Sequence, residues 1–251
     1  MSFLDHLEEL RWRIVKSVIG IVAGGAIAAF FIDWIMNSIL LRPSTLTNPP
    51  LSLQNLKPYG QFSLYMEVII TCGVILSIPN LLYQIWKFIE PALKPNEKKY
   101  VSSIVIFSSI CFLTGIAFAY FVMLPTSLGF FAQFGSTIIK NNIAADEYYD
   151  FVFSVLLTAG CVFELPMVSF FLARIGILTP QFMRKYRKHA IVAILLVAGI
   201  ITPTPDVTNQ LLLGIPLFLL YEISIFICVF AQKKRKKETL LLEDKPADIE
   251  P

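Results

Sequence analysis

Charge is what this chain has least of. Charged residues make up 16% of its 251 residues, against about a quarter in an ordinary soluble domain. Hydrophobic residues reach 56% and the mean hydropathy is +0.68, which excludes a conventional soluble fold. Histidine is nearly absent: His6 and His189 both flank apolar segments rather than sitting in them. A Ser–His dyad within the membrane therefore has no histidine. A paired-aspartate site has only Asp33 and Asp206, both at segment ends. There is no HExxH, no P-loop and no GxGxxG, so no catalytic site, metal or cofactor is expected. Cys72, Cys111, Cys161 and Cys228 lie in apolar segments without a CxxC or CxxH pair. They read as small buried hydrophobes rather than disulfides or metal ligands. The opening run Met1–Leu10 is acidic and polar, unlike a cleavable signal peptide; membrane insertion is expected to rest on the apolar segments themselves.

Those segments dominate the rest. A membrane-crossing helix needs about 20 mainly apolar residues. Six candidates follow one another: 14–36, 62–85, 101–124, 151–173, 190–201 and 207–229. Pro79 and Pro166 fall inside the second and fourth, where a neighbouring helix or water can satisfy the freed carbonyl, so both segments are predicted to stay whole. The fifth is short: about 12 residues, roughly 18 Å of helix. It ends in Thr202-Pro-Thr-Pro-Asp206, a turn predicted to sit below the membrane surface. The fold class is an all-α integral membrane protein: a six-span domain over 1–231 and a disordered tail over 232–251, basic first and then acidic.

Lysine and arginine set the orientation. Eighteen of the 21 lie on one side: Arg11, Arg13 and Lys16; Lys87 with Lys94, Lys98 and Lys99; the group from Arg174 to Lys188; and the tail from Lys233. Arg42, Lys57 and Lys140 lie on the other. The positive-inside rule puts the basic side, with both termini, in the cytoplasm. The two longer outer connections are predicted to fold down as caps, although the Pro-rich stretch from Arg42 to Pro58 equally suits a solvated loop.

A few polar residues need explaining. Glu164 falls near the middle of the fourth span, where a carboxylate costs several kcal/mol unless protonated, paired or wetted. A polar pocket, a bond to a neighbouring helix and proton coupling all fit; the last would make the chain a secondary transporter. Asp206 could cap the sixth span or contact a partner. Gln210, one turn on, calls for a bond to another helix, within the chain or from a partner. Glu222 reads as an interfacial acid near Lys233, and Asp33 and Glu67 as acids at outer span ends. Glu8, Glu9, Glu90 and Glu97 gather on the basic side. They could receive arginine side chains of a ligand or pair with Arg11, Arg13 or Lys98.

Several of these stretches, taken in order, resemble one family. Phe3-Leu-Asp-His-Leu-Glu-Glu-Leu-Arg-Trp-Arg13 is similar to the N-terminal signature of TatC, the multispanning subunit of the twin-arginine protein translocase. The likeness continues through Tyr83-Gln-Ile-Trp-Lys-Phe-Ile-Glu-Pro-Ala-Leu93, Phe118-Ala-Tyr-Phe121, Phe163-Glu-Leu-Pro166 and Ile201-Thr-Pro-Thr-Pro-Asp206 leading to Gln210. One departure is the additional Thr-Pro in that last turn. The resemblance implies a receptor for signal peptides with paired arginines, exporting folded proteins across the cell inner membrane on the proton gradient. It implies that Glu9 and Glu97 receive the arginines, with Arg11, Arg13, Phe88 and Pro91 in the same surface. Glu164 matches an acid facing a concave intramembrane pocket, and Pro43 a functionally sensitive proline of the first outer loop. The short fifth and sixth spans, with Gln210 and Asp206, match the docking region for single-span TatA/TatB-type subunits. A homo-oligomer within a larger complex in the lipid bilayer is implied, with no cofactor and no nucleic acid.

Overall fold

The computed structural model describes residues 3–90, 101–134, 142–201 and 207–243. Five of its helices are long and apolar enough to cross a membrane: Leu4–Phe30, Gly60–Ile89, Ser102–Gln133, Ala145–Ile175 and Gly214–Lys233. Large apolar side chains stand outward on them, among them Phe30, Phe121 and Phe226, each at least 70% exposed. Water would penalise such a surface and a bilayer does not. The chain divides into two compact units, Met1–Val162 and Phe163–Pro251.

In the first unit, α1 (Phe3–Phe30) ends in a one-turn helix α2 (Ile32–Trp34), a wide turn over Ile35–Leu40 and a short helix α3 (Arg42–Thr45). Strand β1 (Ser52–Gln54) leads into α4 (Gly60–Ile89). The next long helix, α5 (Val101–Phe118), passes through a second wide turn, Ala119–Met123, into α6 (Leu124–Gln133). Strand β2 (Asn142–Ala144) precedes α7 (Ala145–Phe163).

Glycine decides how α1 meets α4. A Cβ on Gly24 would lie 2.7 Å from the Gly73 carbonyl oxygen, and one on Gly73 2.8 Å from the Ile21 carbonyl oxygen and the Gly25 nitrogen. With no driving force from water, such close backbone approach is what holds membrane helices together. The two helices run antiparallel, so that Gly24 meets Gly73 near the middle of α4 and His6 meets Phe88 at its end.

At the opposite end the two longer connections are tied together. β1 pairs in parallel with β2, Ser52 opposite Asn142. Lys57 Nζ donates to Asp146 at 2.5 Å, which holds the lysine's pKa above its ordinary value. The buried Tyr148 donates its hydroxyl to the Leu40 carbonyl at 2.7 Å, and Tyr120 donates to that of Ile39 at 2.8 Å. The described parts of the two connections are therefore tied to each other and to the helix ends, and the stretch after Arg42 is anchored rather than loose.

In the second unit, α8 (Leu165–Ile175) ends at Gly176, whose φ of 87° closes the helix in the left-handed conformation that glycine favours. Thr179 caps α9 (Pro180–Lys185) by accepting from the Phe182 N–H at 3.1 Å. α10 (Arg187–Ile201) and α11 (Val207–Glu243) follow. A small core of Ala173, Met183, Ile225, Cys228 and Ala231 joins α8, α9 and α11. Tyr221 donates to the Met183 carbonyl at 2.7 Å beside it.

Two expectations change and one holds with a local defect. The fourth span runs as one apolar segment, Ala145–Ile175, with a one-residue turn at Glu164 between α7 and α8. Pro166 lacks an N–H and crowds the carbonyl four residues back, whereas Pro79 sits inside an unbroken α4. The chain stays helical past Gln232, through the basic run to Glu243; lysine, arginine, glutamate and leucine all favour a helix. Cys161 is exposed, Cys72 and Cys111 are half-buried, and only Cys228 among the described cysteines is buried as expected. The segment expected as the fifth span forms the 15-residue α10, roughly 22 Å long, and is not among the five helices long enough to cross a membrane.

Candidate functional site

The N-terminal end of α1 and the C-terminal end of α4 form one polar cluster. Helical spacing puts His6, Glu9 and Arg13 on one stripe of α1, and Asn80, Gln84 and Phe88 on one stripe of α4. The antiparallel seam brings the stripes together. The His6 and Phe88 rings stack with centroids 4.3 Å apart and planes 18° from parallel. Arg13 donates through Nε and Nη2 to Glu9 Oε1, at 3.1 and 2.5 Å, and through Nη1 to Gln84 Oε1 at 3.2 Å. Gln84 in turn donates to Asn80 Oδ1 at 3.3 Å, and Asn80 donates to the Lys16 carbonyl at 3.2 Å. Gly20 leaves room for Asn80, since a Cβ there would fall 2.2 Å from its Nδ2.

This ladder fixes one carboxylate and leaves half of it unspent. Both arginine nitrogens fall on Oε1 of Glu9, while Oε2 is buried and has no partner among the described residues. The Glu9 side chain is 21% exposed and that of Arg13 16%. A buried carboxylate oxygen without a donor is costly. A guanidinium arriving from outside would satisfy it, and its planar fork suits a carboxylate better than an ammonium does.

The other residues named from the sequence are distributed differently. Arg11 is exposed, its guanidinium carbon 5.6 Å from the centre of the neighbouring Trp12 ring, outside the ladder. Glu90 is engaged by Lys87 at 2.6 Å. Glu97, Pro91 and Asp206 lie outside the described residues. Pro43 is buried at the second position of α3. Glu164 is half-buried at the turn between α7 and α8, its carbonyl accepting from the Val168 N–H at 2.9 Å. Gln210 finds its partner inside the chain, donating to the Leu195 carbonyl of α10 at 2.7 Å. Glu222 pairs with Arg187 at 2.6 Å.

Gln84, Asn80 and His6 carry much of the cluster and were not picked out as site residues from the sequence. The available signal was a pair of amides at i and i+4 in an otherwise apolar span, which there demands partners.

The chain is similar to known proteins over nearly its whole length. The family model described as "Sec-independent protein translocase protein (TatC)" matches residues 5–216. A Sec-independent protein translocase protein TatC of Carboxydothermus hydrogenoformans is 39% identical, covering 93% of this chain and 95% of its own length. That of Aquifex aeolicus is 36% identical over 94% of this chain and 98% of its own. A crystal structure of a twin-arginine translocase receptor, TatC, superimposes with a TM-score of 0.77 at 36% identity, covering 90% of this chain and 99% of that one. A second, in DDM, gives 0.78 at 37% identity, with 88% and 98% covered.

Proposed function

Since the chain belongs to the TatC family of Sec-independent protein translocase proteins, we propose that it is the receptor subunit that binds signal peptides with paired arginines. The observation that carries this reading is the buried Oε2 of Glu9, unpartnered among the described residues, in a carboxylate held by Arg13, which Gln84 holds in turn. One ligand arginine pairs with Glu9 and the other with Glu97, while Phe88, Pro91, Arg11 and Arg13 complete the surface. Arg13 holds Glu9 through Oε1 and does not compete for Oε2.

The rest of the reading follows from the family and the charge pattern. The chain crosses the cell inner membrane six times as one membrane domain with both termini cytoplasmic, placing Glu9 on the side where precursors are made. The apolar part of the signal inserts toward Glu164 in a concave intramembrane pocket. Single-span TatA/TatB-type subunits dock at the short fifth and sixth spans near Gln210 and Asp206, and Pro43 shapes the outer loop they depend on. Several copies assemble with them, and the proton gradient drives export of the folded cargo.

The test is binding of a twin-arginine peptide and its Lys–Lys variant to the purified chain in detergent, repeated on Glu9→Gln and Glu97→Gln. Loss of a charge-assisted bond costs about 1.5–3 kcal/mol, so each variant is expected to bind the arginine peptide about 10- to 100-fold more weakly. Thermal unfolding shows that the variants remain folded. Equal affinity for the two peptides, or undiminished binding to Glu9→Gln, would refute the assignment.

A further inference from the structure

The end of the first unit opposite Glu9 holds a cavity of about 500 Å³ that the signal-binding reading does not use. It is lined by the α3 region, including Arg42, Pro43 and Leu46, and by Tyr120, Phe121 and Pro125 of the facing helix. Arg42 is the only charged residue in its lining. Among the described residues no carboxylate pairs with it, while Lys57, another cation at this end, is taken by Asp146. Two of the polar side chains in the lining are engaged, Tyr120 donating to the Ile39 carbonyl and the Thr47 hydroxyl lying within hydrogen-bond reach of the Ser44 and Pro49 carbonyls, while Asn48 and Gln133 complete the lining.

The depth of this cavity identifies its occupant. The helical segment Ser102–Gln133 has 32 residues, about 48 Å if straight, against a hydrocarbon core of about 30 Å. Its far end, carrying Tyr120, Phe121 and Gly129, therefore emerges at headgroup level. The apolar rim continues onto the surface through Phe121, 73% exposed, and Leu46, 71% exposed. A lone cation in an apolar pocket at this depth matches an anion with a hydrocarbon body. A small free anion would gain nothing from the apolar walls.

We propose that this cavity binds an anionic phospholipid of the outer leaflet, with the headgroup phosphate against the Arg42 guanidinium and an acyl chain along Leu46, Phe121 and Pro125. The lipid bridges the loop bearing Pro43 and the end of the third span, and steadies that corner.

Native mass spectrometry of the full chain in detergent, with equal palmitoyl-oleoyl phosphatidylglycerol and phosphatidylcholine added, tests this. The wild type is expected to retain one phosphatidylglycerol with about fivefold preference, the effect of one basic residue on an anionic headgroup. Arg42→Gln keeps a lipid but loses the preference. Gly129→Leu retains neither lipid at this site: nothing lies within 4 Å of a Cβ there, so the side chain grows into the cavity without disturbing the fold. Equal retention by wild type and Gly129→Leu overturns the proposal, as does preference that survives Arg42→Gln. Displacement by millimolar inorganic phosphate would assign the site to a free anion, and a protein mass in place of the lipid to a second copy or a single-span subunit; either overturns it.

Discussion

Gly73→Ala probes whether the α1–α4 seam holds the candidate site in shape. The added Cβ would meet three backbone atoms: the Ile21 carbonyl oxygen and the Gly25 nitrogen at 2.8 Å, and the Gly25 Cα at 3.0 Å. None can rotate away, and a carbon–oxygen contact needs about 3.3 Å. The helices must therefore part by roughly 0.5 Å. Overpacking of this kind costs about 1–3 kcal/mol, and three rigid obstacles place it near the top of that range. Alanine returns about 0.5–1 kcal/mol of helix preference, leaving a net loss of about 2 kcal/mol. Gly129→Ala is the matched control, because it makes the same chemical change in a helix where a Cβ meets nothing within 4 Å. It should be neutral or stabilising by up to about 1 kcal/mol. In thermal unfolding in detergent, Gly73→Ala is expected to melt about 4–8 °C below wild type and Gly129→Ala at or above it. The parting also loosens the Arg13–Gln84 bond, already 3.2 Å, so signal-peptide affinity should fall with Gly73→Ala alone. Adding Gly24→Ala costs less than its own single effect, since one displacement relieves both clashes. Equal melting temperatures for Gly73→Ala and Gly129→Ala would refute the argument.

Two further outcomes follow from the same geometry. Tyr148→Phe leaves the buried Leu40 carbonyl without its donor and should cost about 1–3 kcal/mol, read as a lower melting temperature, with the half-buried Tyr120→Phe costing less. The Arg187–Glu222 pair has side chains 46% and 21% exposed, so a double-mutant cycle should give a coupling below about 1 kcal/mol that fades with salt; a coupling above about 2 kcal/mol would show that the pair is drier than its exposure indicates.

Much of the fold was legible because its signal is local. A run of about 20 apolar residues states its own structure, and the long helices fall where such runs lie. The turn at Glu164 was not legible. Pro79 and Pro166 stand in similar apolar surroundings, yet one is absorbed in an unbroken helix and the other sits in the first turn after a one-residue defect. The outcome depends on which neighbours rescue the freed carbonyl, and those belong to other segments. Glu222 shows the same limit. Counting along its own helix points to Lys233, whereas the partner, Arg187, arrives from the preceding helix.

The candidate site divides along that line too. Glu9 and Arg13 are an i, i+4 pair, so their contact is written in the local sequence. What the sequence did not announce is that Arg13 also holds Gln84, and that Gln84 leads through Asn80 to the Lys16 carbonyl. That relay needs α1 and α4 in one register, and the register is set by Gly20, Gly24 and Gly73, residues whose contribution is the absence of a side chain. A hydropathy reading passes over them, since glycine adds little to an apolar average. In this seam the proposed function and the packing are coupled: the glycines let the backbones touch, the touching aligns the amides, the aligned amides hold Arg13, and Arg13 holds one oxygen of Glu9 while the other stays unpaired among the described residues. Any change that widens the seam should therefore weaken arginine recognition without touching an acidic residue.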